Sequence, residues 1–181
     1  MMSGRFIAVV GPSGAGKDSV MEAMVADRPG LYRVRRVITR PSDAGGEAFE
    51  GVTEAEFAAR VARGDFALHW SAHGLQYGIP AEVCAVLEVG KDALANLSRG
   101  VLKQASAAFG RLHVLSITAQ PDVLASRLAG RGRESGAGIA RRLARVAPAM
   151  PSGLTVTEID NSGALDDAVA VALSALYPAR G

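Results

Sequence analysis

Residues 11–17 read Gly-Pro-Ser-Gly-Ala-Gly-Lys, a G-x-x-x-x-G-K spacing that restricts the fold more tightly than any other stretch of the chain. An apolar run, Phe6 to Val10, leads straight into it, and a helix-like segment opens at Lys17. Strand, glycine loop and helix start, in that order, make a phosphate cradle. Glycines let successive backbone N–H groups converge on an anion without interference from Cβ atoms, and the helix N-terminus adds partial positive charge. The loop Gly11, Pro12, Ser13, Gly14, Ala15 and Gly16 is therefore the expected nucleotide-phosphate site, with Lys17 reaching the β- and γ-phosphates. These features predict a phosphotransferase that uses ATP and Mg²⁺. The hydroxyl residue that ordinarily follows the lysine is replaced by Asp18, with Ser19 next. A carboxylate is a hard oxygen ligand, so Asp18 is the candidate Mg²⁺ contact, directly or through water. The alternative is that Asp18 simply places a negative charge in the first turn of a helix.

Short β-rich runs alternate with helix-like segments along the rest of the chain. Strands are expected at Arg5–Val10, Tyr32–Ile38, Phe66–Trp70, Ala93–Leu97, Leu112–Ile117 and Leu154–Ile159. Helices are expected at Lys17–Ala26, Glu54–Arg63, Ala81–Val89, Arg99–Phe109, Asp122–Ala129, Ala137–Val146 and Leu165–Leu176. Thr53 with Glu56 three residues later is a capping box for the second of these. Such alternation predicts an α/β fold, a parallel sheet core flanked by helices, and 181 residues suit one domain. Gly130–Gly138 is glycine-rich and charged, and its place between two helix candidates is where a lid would sit.

Composition narrows the class. The longest apolar run is too short to span a bilayer, and the first residues carry no cleavage-site pattern after an apolar core. A lone Cys84 makes neither an intramolecular disulfide nor a zinc cluster, which fits a reducing cytoplasm. All but three of the 20 basic residues are arginine. They gather in two groups, one at Arg28, Arg33, Arg35, Arg36 and Arg40, the other at Arg127, Arg131, Arg133, Arg141, Arg142 and Arg145. A guanidinium presents a rigid fork of donors to phosphate oxygens, so the clusters suit a small anionic substrate. Aromatics make up only 5% of the chain and do not interleave with the clusters, which argues against a nucleic-acid partner. Oligomeric state is left open between monomer and homodimer.

The stretches GPSGAGKDS, VITRP, GGE, HGLQYGIP, GKDALANLSRG and RLAGRGRE together resemble the guanylate kinase superfamily along almost the whole chain, and in detail its ribose 1,5-bisphosphate phosphokinases. The resemblance implies a three-part nucleoside monophosphate kinase fold: core 1–33 and 91–181, acceptor-binding part 34–90, lid 130–138. It implies that Arg40 and Tyr77 grip the acceptor, with Arg36 in the same cluster. It further implies that Arg131, Arg133 and Arg142 contact the triphosphate and the migrating phosphoryl group, and that Asp160 and Asn161 lie beside the adenine.

Departures from the guanylate kinase pattern point to the acceptor. Guanine offers donors on its N1–H and N2–H₂ edge, so a guanine site needs a carboxylate. The stretch Phe66–Gly78 holds no Asp or Glu, and Ser71 stands near the expected carboxylate. Ile79-Pro80 replaces a hydroxyl pair, Asn96 and Ser98 replace acidic residues, and Ser42-Asp43 stands where a second acceptor arginine is expected. Base donors left unpaired in a site cost about 1–3 kcal/mol each. Ser71, His73, Asn96 and Ser98 with the nearby arginines suit a sugar phosphate instead. The expected reaction is ATP-dependent phosphorylation of ribose 1,5-bisphosphate at its 1-phosphate. The alternatives are a guanylate kinase with unusual base contacts, a catalytically silent interaction module, and a hydroxyl kinase of the gluconate or shikimate kind.

Overall fold

The computed structural model describes residues 3–43, 48–130 and 149–179. Two sheets share the chain. The first has five parallel strands: β1 (Phe6–Val10), β2 (Tyr32–Arg33), β7 (Ala93–Asn96), β8 (Leu112–Thr118) and β9 (Thr155–Asp160), in the order β2-β7-β1-β8-β9. The second has four: β3 (Val37–Ile38), β4 (Glu50–Gly51), β5 (Phe66–Ala72) and β6 (Leu75–Pro80), in the order β4-β3-β6-β5. The helices are α1 (Lys17–Asp27), α2 (Glu54–Arg63), α3 (Glu82–Glu88), α4 (Leu102–Phe109), α5 (Pro121–Gly130) and α6 (Leu165–Leu176). The expected α/β architecture with a parallel core is present.

Strand β1 is buried along its whole length, because helices cover both faces of a parallel sheet. Phe6, Ala8 and Val10 join one apolar cluster with Leu102, Ala105 and Phe109 of α4, while Ile7 and Val9 join another with Met21 and Met24 of α1 and Val169 of α6. The strand therefore stays put while the loop that follows it carries the chemistry. Among the described residues no helix is long and apolar enough to cross a membrane.

Several expected boundaries shift. The single strand expected at Tyr32–Ile38 is two strands in different sheets. Val34 N–H still bonds to Leu94 O, and the chain then crosses over Arg35 and Arg36 into β3. A continuous apolar pattern does not reveal that the neighbours change partway. Leu75–Pro80 has strand alternation that its Gly78 and Pro80 disguise; it pairs with β5 through the two-residue turn His73-Gly74. Both turn residues have positive φ, 53° and 74°, the pattern of a hairpin turn matched to strand twist. The helix expected at Arg99 starts as one 3₁₀ turn, Arg99–Val101. The helix expected at Ala137–Val146 and the lid positions 131–138 lie outside the described residues.

Candidate active site

The loop Gly11–Gly16 joins β1 to α1 as the spacing predicts. Gly16 has φ +86°, and a Cβ there would sit 2.6 Å from Asn161 Nδ2, so any side chain would strain the backbone and push on Asn161. At Gly11 a Cβ would lie 2.1 Å from the Ile117 carbonyl oxygen. Lys17 Nζ folds back over the loop and donates to Gly11 O at 2.7 Å and Pro12 O at 3.1 Å. An ammonium held over backbone that opens into the helix N-terminus fits a nucleotide's phosphate chain. Ser13 and Ser19 are exposed.

Two side chains brace this loop from behind. Asn161, 4% exposed, donates from Nδ2 to Ala15 O at 2.8 Å. Arg127 of α5 donates to Gly14 O at 3.1 Å, Ala15 O at 3.3 Å and Asn161 O at 2.6 Å. Asn161, expected beside the adenine, also braces the cradle through Ala15 O, and its buried Oδ1 accepts no hydrogen bond. Asp160 holds its own turn, accepting from Ser162 N at 2.9 Å and Ser162 Oγ at 2.5 Å, which lower its pKa. Arg127 belonged to an arginine cluster in the sequence, but spacing gave no sign that it reaches the loop across 113 residues.

Asp18 lies beside Arg33. Its Oδ1 is buried, accepts no hydrogen bond, and lies 3.7 Å from a guanidinium nitrogen of Arg33, which also approaches Glu22 at 3.8 Å. Arg36, 7% exposed, donates to Asn96 O at 3.1 Å and lies 5.1 Å from the centre of the Tyr77 ring. Burial lowers the Arg36 pKa to about 10, partly offset by Tyr77 and Asp18, while Arg40 and Arg33 lower it further. Arg36 thus stays cationic at neutral pH, a desolvated charge at the joint between the two sheets. The Arg40 guanidinium stacks over the Phe49 ring at 4.3 Å. Among the described residues no group of three or more His, Cys, Asp or Glu could hold a metal. The donor set fits Mg²⁺ only as one carboxylate, Asp18, with phosphate and water completing the shell.

The hairpin β5–β6 meets the first sheet near Arg36 and Ser98, and strand alternation sorts its residues. Leu68, Trp70, Tyr77 and Ile79 share one face: Trp70 pairs with Tyr77 in register, and Leu68, Trp70 and Ile79 pack on the core cluster that includes Val10 and Leu97. Ser71 points the other way, exposed and bonded to Gln76 Oε1 at 2.9 Å. His73 is exposed at the hairpin tip. Tyr77, Arg36, Asn96 and Ser98 are therefore gathered, whereas Ser71 and His73 are not among them. Ser98 Oγ accepts from Trp70 Nε1 at 3.2 Å, a contact the sequence did not disclose. Arg131, Arg133 and Arg142 lie outside the described residues.

The sequence profile of the guanylate kinase family matches residues 3–170. The chain is 53% identical over 178 residues to ribose 1,5-bisphosphate phosphokinase PhnN of Ruegeria sp. (strain TM1040), covering 98% of this chain and 94% of that protein. With the PhnN protein of Agrobacterium fabrum the identity is 49% over 178 residues, with 97% of each chain covered. A solved guanylate kinase from Anaplasma phagocytophilum superposes with a TM-score of 0.72 at 14% identity, covering 97% of this chain and 85% of that one, which shows a shared fold. By profile, full-length identity and fold together, the chain belongs to the guanylate kinase family and, within it, to the ribose 1,5-bisphosphate phosphokinases.

Proposed function

We propose that the chain transfers the γ-phosphoryl group of ATP to the 1-phosphate of ribose 1,5-bisphosphate, giving 5-phosphoribosyl 1-diphosphate and ADP, as a cytoplasmic step of phosphonate catabolism. The observation that carries the reading is the meeting of the Lys17–Asp18 cradle with the cations Arg33 and Arg36 at the joint of the two sheets. A 1-phosphate oxygen of the acceptor attacks the γ-phosphorus as the bond to the β-phosphate oxygen breaks. An ionised phosphate needs no general base, so positioning and charge neutralisation carry the rate. Lys17 follows the charge that moves toward the departing ADP, and Arg36 with Tyr77 anchors the acceptor phosphate. Mg²⁺, when bound, neutralises the β- and γ-phosphate oxygens, and Asp18 is the residue that would hold it. In this reading 34–90 is the acceptor-binding part, the core is 1–33 and 91–181, and 130–138 is the lid. Arg131, Arg133 and Arg142 then serve the transferring group.

ADP release measured in parallel with ribose 1,5-bisphosphate and GMP, at equal ATP and Mg²⁺, tests the proposal. The specificity constant should favour ribose 1,5-bisphosphate by well over the tenfold that corresponds to about 1.4 kcal/mol. A ratio favouring GMP would return the chain to the guanylate kinase activity.

A further inference from the structure

The acceptor wall carries an aromatic side chain that the sequence-based site did not include. Trp70 stacks on Tyr77 with ring centroids 5.4 Å apart and planes 10° from parallel. Its Nε1–H reaches across from the hairpin to Ser98 Oγ, just past the end of β7 in the other sheet, at 3.2 Å. The indole therefore spans the gap between the two sheets and is tied at both sides. Tyr77 touches both Trp70 and the Arg36 guanidinium, so Trp70 lies next along the wall from the anchoring cation. Leu68 and Ile79 continue the same face and offer no hydrogen-bonding group. The one donor on the indole is already engaged by Ser98.

We infer, resting on the function proposed above, that Trp70 is the specificity-determining residue of the acceptor site: its indole fills the space beyond Arg36 and Tyr77 into which a nucleoside monophosphate would extend its base, leaving room for a phosphorylated pentose. A base entering here would have to displace the half-buried indole and its contact to Ser98, and behind the indole it would meet only Leu68 and Ile79, buried and without a partner for its polar edge. A ribose ring presents C–H groups to the indole plane and keeps its hydroxyls free to face the arginines. Exclusion by bulk and loss of base readout thus come from one side chain.

Trp70 is the only tryptophan of the chain, so its emission reads the site directly. In the full-length wild type, titration with ribose 1,5-bisphosphate should change that emission and saturate. In Trp70→Ala, and in Trp70→Leu, which keeps an apolar contact with the core cluster, specificity constants for GMP and AMP should rise at least tenfold relative to ribose 1,5-bisphosphate, chiefly through KM. Ser98→Ala, which frees the indole without removing it, should move the ratio the same way by less. Emission that does not respond to saturating acceptor overturns the inference. So does a folded Trp70→Leu protein whose ratio stays within twofold of wild type while wild type prefers ribose 1,5-bisphosphate. A wild type that itself prefers GMP is the different result that overturns the proposed function.

Discussion

Lys17 and Asp18 are neighbours in sequence with opposite charges, and the geometry separates them. The Lys17 ammonium lies over the cradle, 2.7 Å from Gly11 O, where a transferring phosphoryl group would draw it away from the carbonyls. Lys17→Ala should leave the circular dichroism spectrum unchanged and lower kcat by about 10²–10³-fold or more, the loss expected when a preorganised donor to developing charge is removed. Asp18 presents a buried oxygen without a hydrogen bond, at a distance from Arg33 that is loose for an ion pair. Asp18→Asn should therefore raise the Mg²⁺ concentration for half-maximal rate more than it raises the acceptor KM. If stability falls by about 0.5–1 kcal/mol with metal dependence unchanged, the carboxylate serves only the start of α1. Arg36 shows why residue type alone is a poor guide: five arginines cluster in the sequence, and burial singles out this one.

Helix α2 shows how far local rules reach. Thr53 Oγ1 accepts from Glu56 N at 3.1 Å, as the capping box predicts, and the helix covers Glu54–Arg63 as expected. The return bond of a capping box is replaced: Glu56 Oε1 accepts from Arg60 at 3.0 Å, one turn further on. Thr53→Ala should cost about 1 kcal/mol, read as a lower urea midpoint with an unchanged slope. The hairpin β5–β6 is the opposite case. A bulge between Phe66 and Leu68 puts Phe66 against Phe57 of α2, with centroids 4.7 Å apart, and leaves Leu68 on the core face. Ser71, by contrast, leaves the Trp70–Tyr77 face through ordinary strand alternation, pairing with Gln76 on the opposite side of the hairpin.

The first strand, the entry to β7 and the end of α6 are locked together far from the active site. Arg5 donates to Asp92 through its backbone N–H at 2.7 Å and its guanidinium at 2.9 Å, and Tyr177 Oη–H donates to the same carboxylate at 2.6 Å. Burial alone would raise the Asp92 pKa, but the bonds from Tyr177 and Arg5 outweigh it and lower the pKa. Burial first, then the bond to Asp92, raises the Tyr177 pKa to about 12. The depressed carboxyl stabilises the fold above its unfolded value of about 3.9 and loses that contribution as pH falls through the folded value. The raised phenol stabilises the fold below about pH 10 and loses that contribution as pH rises toward its folded value. Tyr177→Phe should therefore lower stability by about 1–2 kcal/mol between the two limits and flatten the alkaline limb, measured as urea midpoints across pH.

Much was legible in the chain itself. Spacing and local chemistry dictate the cradle, most strands and helices of the core and the α2 cap, because each depends on residues within a turn or two of one another. His113, inside the apolar run of β8, is buried and bonds to Thr157 Oγ1 at 2.8 Å. What adjacency in sequence cannot convey is which distant groups meet. The crossing of Val34–Arg36 between sheets, the Arg127 and Asn161 brace behind Ala15, and the Trp70–Ser98 tie each join segments separated by tens of residues. Strand register and sheet packing place those partners, and a one-residue bulge is enough to turn Phe66 to α2 while Leu68 stays on the core face.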